Sequence, residues 1–435
     1  MNIAIVGYAT EGKVSAEYFA RRGHTVTICD KSAEVEIPDG FASQLGSEYL
    51  NGLERFDLIV RSAGIHPDVI LEQNPGVEPK ITTAINEFLA SSPSRNIIGV
   101  TGTKGKGTTS TLTYKILESC GRKAWLGGNI GRSPLEFIDE LQPDDWVVLE
   151  LSSFQLYDVQ HSPHIAVCLM VVPEHLDWHS DVEDYYHAKS NLFRAQKRDD
   201  VAIYFADNDV SKQIVLVSEG IQVPYFAEPG ARVEGQGVIV IEESTQICSV
   251  HELKLLGRHN WQNVCAAITA TWQAGCDDVA KIKQAVTEFS GLPHRLEFVR
   301  ELDGIRYYND SFGTTPETAM VAAEAFDNPK VMILGGSDKG ASFDQLAKVI
   351  TKESVHHITL IGTTASKVKA ALDAAGYTGS ITEGLTTMNG MVADCRSHAE
   401  SGDIVLLSTG CASFGLFANY KDRGQQFTEA VQALS

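Results

Sequence analysis

The chain has 435 residues, of which 43% are hydrophobic and 21% charged, and a formal net charge of -20 at pH 7. That length exceeds what one hydrophobic core fills, so several domains are expected. So acidic a balance argues against general affinity for nucleic acid or for an anionic membrane, while leaving room for a local positive pocket that takes an anionic small substrate.

Apolar β-rich runs alternate with helical patterns almost throughout, which predicts an α/β chain with parallel sheets. The first block, residues 1–92, opens with the strand NIAIVG, a turn, the helix KVSAEYFARRG and a second strand TVTICD ending at Asp30. Its loop GYATEG at 7–12 falls on the G-x-G-x-x-G template of a dinucleotide site, with Asp30 roughly where a ribose-binding acid belongs. Ala9, however, replaces the second glycine, the one that lets backbone approach a pyrophosphate. A dehydrogenase is disfavoured on that ground. A further strand, DLIVRSAGI, ends in the small residues Ser62, Ala63 and Gly64, and SSPSRN at 91–96 reads as a linker.

The second block, residues 93–290, begins with the strand NIIGVT and runs into GVTGTKGKGTTSTL at 99–112. After it, Leu112, Ile116, Leu117 and Cys120 fall at helical spacing. Strand, glycine-rich turn and helix form the setting of a phosphate site. Backbone amides and the helix N-terminus face the anion, and Lys106 adds charge at the terminal phosphates. A phosphate loop usually follows its lysine with a hydroxyl that holds magnesium. Here Gly107 follows, and Thr108 is the nearest hydroxyl. ATP binding is expected, with the metal ligand one place late, and a typical kinase or GTPase is disfavoured. DDWVVLELSSFQL at 144–156 predicts a strand ending at Glu150, where an open α/β sheet places a magnesium ligand. The longest apolar run, IAVCLMVV at 165–172, is far short of a membrane span.

From residue 291 the strands IRYYND, KVMILGG, HHITLIG and DIVLLS alternate with helical segments and predict another small parallel sheet with crossover helices. The eight cysteines are scattered, without a CxxC pair or zinc spacing, and MNIAIVGYATEG has no signal-peptide pattern. Reduced thiols and a cytoplasmic location are expected.

The runs TGTKGKGTTS, GGNIGRSP, LELSSFQL, PEHLDWH, YYHAKSNLF, GRHNWQN, GLPHRLE, NDS, LGGSDKG and STGCASFGLF resemble, in this order, the Mur ligase family over roughly the whole chain. ELSSFQL, GCASF and GLPHR are most similar to its members that add D-glutamate to UDP-N-acetylmuramoyl-L-alanine. The resemblance implies a Rossmann-like UDP-binding domain at 1–92, a central P-loop ATPase domain with a mainly parallel sheet at 93–290, and a Rossmann-like C-terminal domain at 291–435. It also implies a reaction of peptidoglycan precursor synthesis. ATP phosphorylates the terminal carboxylate of the UDP substrate, and the amine of glutamate displaces the phosphate to form an amide. A monomer is expected from the family.

Roles follow the same resemblance, position by position. Gly102, Thr103, Lys104, Gly105, Lys106, Gly107 and Thr108 would hold ATP, together with Asn263, Arg295 and Asp310, the last near the ribose. Two magnesium sites are implied: Glu150 with Thr108 at one, His175 at the other. Lys189 matches a lysine that the family carries as a carbamate, an anion able to bind or orient magnesium. Gly7, Thr10, Asp30, Lys31, Ser32, Ser62 and Gly64 would face the UDP group; Asn129, Ser152 and Gln155 would face the muramoyl part. Thr314, Lys339, Ser413, Phe414 and Tyr420 would bind the amino acid. Lys106, Glu150, His175 and Lys189 form the expected catalytic set.

Three departures qualify the resemblance. The GKG at 105–107 is also similar to folylpolyglutamate synthetases, although the first 90 residues argue against those enzymes. Phe312 stands where a lysine is expected, and Gly415 where an aspartate is common. L-glutamate or another amino acid or acceptor therefore stays open as an alternative to D-glutamate, as does a non-catalytic nucleotide-binding homologue.

Overall fold

The computed structural model describes residues 1–255, 257–338 and 340–435. By internal contacts the chain divides into two compact units, Met1–Leu253 with Arg258–Phe289, and Lys254–Gly257 with Ser290–Ser435.

The first unit holds three sheets. Strands β1 (Asn2–Val6), β2 (Thr25–Asp30), β3 (Ala42–Leu45), β4 (Leu58–Arg61) and β5 (Ile81–Thr82) make a parallel sheet in the order β3-β2-β1-β4-β5. Strands β6 (Ile97–Thr101), β7 (Ala124–Gly128), β8 (Trp146–Glu150), β9 (Ile165–Cys168), β10 (Val201–Phe205) and β11 (Ile221–Tyr225) make a second, also parallel, ordered β11-β10-β9-β6-β8-β7. β6 and β9 are buried at every position, as expected of central strands covered by helices on both faces. β12 (Arg232–Glu234), β13 (Val238–Ile241) and β14 (Thr245–Ser249) add a small antiparallel sheet whose pattern the sequence reading missed. SSPSRN runs between the helix Ala84–Ser91 and β6, and the buried Ser94 donates to the Asp145 carbonyl at 2.7 Å.

The second unit is built on β15 (Glu297–Leu302), β16 (Ile305–Asn309), β17 (Lys330–Gly336), β18 (Val355–Gly362), β19 (Ser380–Glu383) and β20 (Ile404–Leu407), ordered β15-β16-β20-β17-β18-β19. Its strands are parallel except β15, which pairs antiparallel with β16. The expected all-parallel sheet is thus mixed. β15 and β16 are joined through Asp303 and Gly304, both at positive φ, a tight turn that leaves no room for a crossover helix. Two apolar clusters pack this sheet, one around Met332, Leu346 and Leu360, the other around Ile333, Met391 and Phe427.

Candidate active site

The phosphate loop lies at the C-terminal end of β6. Gly102 has φ 144°, and a Cβ there would sit 2.7 Å from that of Leu169, so only glycine fits. Gly105, at φ 90°, caps the helix Lys106–Ser119, and a Cβ on it would fall 2.2 Å from Asn263 Oδ1. Lys106 folds back over the loop and donates through Nζ to the carbonyls of Gly102 and Thr103, both at 3.0 Å. The Thr103 hydroxyl donates to the Val172 carbonyl at 2.9 Å, and its backbone N–H to that of Met170 at 2.8 Å. Lys104 is paired with Glu174 at 2.6 Å. Loop carbonyls are thus engaged by protein donors, and the positive end of the helix dipole lies where an anion would sit.

Glu150 ends β8, in register with Val100 of β6, and is buried. Asn129, expected at the muramoyl group, donates to Glu150 Oε1 at 2.7 Å. Asn263, expected on ATP, is packed under Gly105 and lies 3.5 Å from the Thr109 hydroxyl. Among the described residues neither Glu150 Oε2 nor the Thr108 hydroxyl has a hydrogen-bond partner. The free oxygen of the Glu150 carboxylate and the Thr108 hydroxyl, beside a phosphate loop, are hard donors of the kind magnesium takes. The pair fits that ion.

Lys189 is buried, donates to the Gly102 carbonyl at 3.0 Å, and lies over the Tyr185 ring at 4.5 Å. Burial, and then the positive charge of Lys106, pull its ammonium down from 10.5 to about 7. A neutral amine is thereby populated near neutral pH. As an ammonium it cannot bind a cation; as a carbamate it supplies oxygen donors. His175 stands at φ 59°, packed against Phe154 with ring centroids 4.8 Å apart, and its side chain is 44% exposed.

In the N-terminal sheet, Gly7 is at φ 89° with its carbonyl accepting from the Ser62 hydroxyl at 2.8 Å. Asp30 accepts the amides of Tyr8 at 2.7 Å and Ser32 at 2.9 Å, and so fixes the two loops expected to hold the nucleotide. Thr10 opens the helix Thr10–Arg21, and Lys31 and Ser32 are exposed. Ser152 and Gln155 form a capping box, and Gln155 also donates to Glu11 Oε1 at 3.3 Å. Trp178 reaches the same region through an indole N–H donated to the Gly64 carbonyl at 3.1 Å.

In the second unit, Asp310 accepts from the Ser408 hydroxyl at 2.7 Å and from the Leu296 amide at 3.1 Å. Burial raises its carboxyl from 3.8 to about 6 against those bonds. Arg295 lies over the Phe312 ring at 4.6 Å, and Tyr420 meets the ring edge-on at 5.2 Å. Where a lysine was expected, the cation on hand is therefore Arg295. Ser337 N–H donates to the Ala412 carbonyl at 2.9 Å, which brings the loop after β17 beside the loop that holds Ser413. Ser413 is buried, Thr314 half-buried and Phe414 exposed; Lys339 lies outside the described residues.

Sequence reasoning missed two buried arginines. Arg61 forks onto Asp158 at 2.7 and 2.8 Å and donates to the carbonyls of Phe154, Ala63 and Ile65. Arg423 holds Ser311 through both its hydroxyl and its carbonyl, and also the Cys411 carbonyl. Neither lies in a motif, and the Asp158 partner of Arg61 and the Ser311 partner of Arg423 are distant in sequence.

Among the described residues, His357, Asp394 and His398 are one group of metal-type donors lying within 4.8 Å of one another. The two imidazoles stack 3.6 Å apart and 3° from parallel, so an ion in the plane of one ring lies far out of the plane of the other. Asp394 is already bonded to Thr359, Thr382 and His357. This is a polar network of the fold.

Two family descriptions match the chain: the Mur ligase middle domain over residues 100–271, and the Mur ligase glutamate ligase domain over residues 294–411. The chain is 34% identical to the UDP-N-acetylmuramoylalanine--D-glutamate ligase of Clostridium novyi, over 99% of this chain and 96% of that protein. The enzyme of the same name from Symbiobacterium thermophilum is 36% identical over 99% and 98%. The MurF ligase of Thermotoga maritima, solved in complex with ADP, shares the fold with a TM-score of 0.59 at 17% identity, covering 99% of this chain and 94% of that one. With its parallel first and second sheets and its mixed C-terminal sheet, the chain belongs to the Mur ligase family.

Proposed function

We propose that this chain is the ligase that adds D-glutamate to UDP-N-acetylmuramoyl-L-alanine in peptidoglycan precursor synthesis, acting as a monomer. The observation that carries the reading is its end-to-end similarity to two D-glutamate ligases at 34% and 36% identity. The phosphate loop supports the ATP-dependent part. A carboxylate is a poor electrophile, and transfer of the terminal phosphoryl group gives it a leaving group. The amine of glutamate then attacks the acyl carbon, and amide, ADP and phosphate result. Most of the protein's task is positioning and neutralising charge.

In this reading the helix N-terminus at Lys106 holds the phosphates, and Lys106 exchanges its loop carbonyls for phosphoryl oxygens. Magnesium, held by Glu150 and Thr108 with His175 at a second ion, would neutralise the phosphate charge. Lys189, with its ammonium near 7, can add carbon dioxide through its neutral amine and become a carbamate. Arg295 and Tyr420, grouped at Phe312, are available to carboxylates of the incoming amino acid or to the nucleotide.

The test is product mass after incubation with ATP, magnesium and UDP-N-acetylmuramoyl-L-alanine, with D-glutamate, L-glutamate or neither. A glutamyl adduct formed with D-glutamate is expected. An adduct with L-glutamate alone, which the Phe312 departure keeps in view, moves the specificity and leaves the chemistry. No adduct with either sinks the substrate assignment.

A further inference from the structure

The segment between Val172 and the helix Val182–Arg194 carries His175 and has no regular structure until that helix begins. It is held at three points. Glu174 pairs with Lys104 of the phosphate loop at 2.6 Å. The His175 carbonyl accepts from Trp178 N–H at 3.1 Å and from His179 N–H at 2.9 Å, so residues 175–179 fold as one tight turn. His179 is buried, with Nε2 3.0 Å from the Ser153 hydroxyl and Nδ1 3.1 Å from Asp184. Those three side chains have the order of a hydrolytic triad. However, Ser153 is 2% exposed, and Phe154, Trp178 and Tyr185 enclose the imidazole, so no substrate reaches it. His179 is an anchor.

The third point is Trp178. Its indole packs against His66 at 4.4 Å, Phe154 at 4.8 Å and Tyr157 at 5.3 Å, and its Nε1–H is donated to the Gly64 carbonyl. Gly64 and His66 follow strand β4 of the first sheet, whereas Phe154 and Tyr157 follow strand β8 of the second. The turn that carries His175 is thus gripped from the nucleotide end of the site as well as from the phosphate end. His175 needs that grip, because a non-glycine residue at φ 59° persists only where its surroundings impose it.

We infer that Trp178 is a positioning residue. By its bond to Gly64 it ties the turn of His175 to the loop Ser62–Gly64, so the metal-ligand histidine is held in place through the N-terminal sheet. The inference rests on the proposed function, which makes His175 a metal ligand.

Manganese(II) serves as the probe, titrated into the full chain with ADP present, with free ion read by electron paramagnetic resonance. Trp178→Phe keeps a ring against His66 and loses the N–H donor. It is expected to weaken manganese binding about fivefold, the worth of one ordinary hydrogen bond, with a melting temperature lowered by only about 2 °C. Trp178→Ala should weaken it further. In a His175→Ala background, Trp178→Phe should have no added effect, because it acts through His175. Wild-type affinity in Trp178→Phe, or the same weakening with and without His175, overturns the inference and leaves the proposed function standing. Binding untouched by His175→Ala removes the ligand role and the inference with it. Wild-type chain that binds no manganese strikes at the metal reading itself.

Discussion

Lys106 and Lys189 show how much the surroundings decide what one residue type does. Both amines reach the Gly102 carbonyl at 3.0 Å, but Lys106 is half-buried, whereas Lys189 is buried and its ammonium is pulled down to about 7. Lys106, at the start of its helix, is placed to meet a phosphate. Lys106→Ala should lower phosphate release by at least about a hundredfold, the scale of one preorganised donor, while binding of the UDP substrate persists; wild-type turnover would refute the phosphate-loop assignment. If Lys189 acts as a carbamate, Lys189→Ala should lose most activity and recover part of it in acetate, a small carboxylate that can occupy the vacated space. A fully active Lys189→Ala chain would remove that role. Lys106 was legible because a phosphate loop is local in sequence. The burial of Lys189 was not: helical spacing alone puts a lysine in solvent, and its surroundings come from β6 and the segment before the helix.

At the scale of elements, the glycine turn and the helix behind it stand or fall together. Gly105→Ala places a Cβ 2.2 Å from Asn263 Oδ1 at φ 90°, two separate faults at one position. It should lower the melting temperature by several degrees and weaken ATP binding; adding Asn263→Gly should recover the steric part alone. Unchanged ATP affinity in Gly105→Ala would show that this loop is not the nucleotide site. Arg61 makes the comparable point between sheets. It is 1% exposed and forked onto Asp158, so Arg61→Ala strands a carboxylate and several carbonyls and should cost about 3–5 kcal/mol, read as a shift in the denaturant midpoint. A loss below about 1 kcal/mol would mean that water satisfies these groups. The alternation of strands and helices and the position of the phosphate loop followed from local pattern, whereas the strand order within each sheet did not. The protein partners of Asn129 and Asn263 were not legible, because Glu150 and Thr109 lie 21 and 154 positions away along the chain. The antiparallel pairing of β15 was hidden for a related reason: its short turn with Asp303 looks like any loop between apolar runs.

For the whole molecule, two buried histidines and one half-buried histidine tie stability to pH. His179, His294 and His357 are all held below the ordinary value of 6.5, burial being the first cause in each. The unfolded chain takes up their protons at higher pH than the folded one does. Stability from these groups is therefore complete above about 6.5 and falls as pH drops through that value. Asp310, raised to about 6, works in the opposite sense, gaining stability as pH falls from about 6 toward 3.8. Between pH 7.5 and 6 the histidines dominate, so the melting temperature should fall over that window, and His357→Asn should flatten the fall. A melting temperature that holds steady would contradict this. Among the described residues no helix is long and apolar enough to cross a membrane. In the proposed reaction the chain activates a substrate carboxylate by phosphorylation before the amide forms. That activation is tested most directly with UDP-N-acetylmuramoyl-L-alanine labelled with oxygen-18 in its terminal carboxylate. Each amide formed with D-glutamate should transfer one labelled oxygen to the released phosphate; amide formed with unlabelled phosphate would contradict activation through an acyl phosphate.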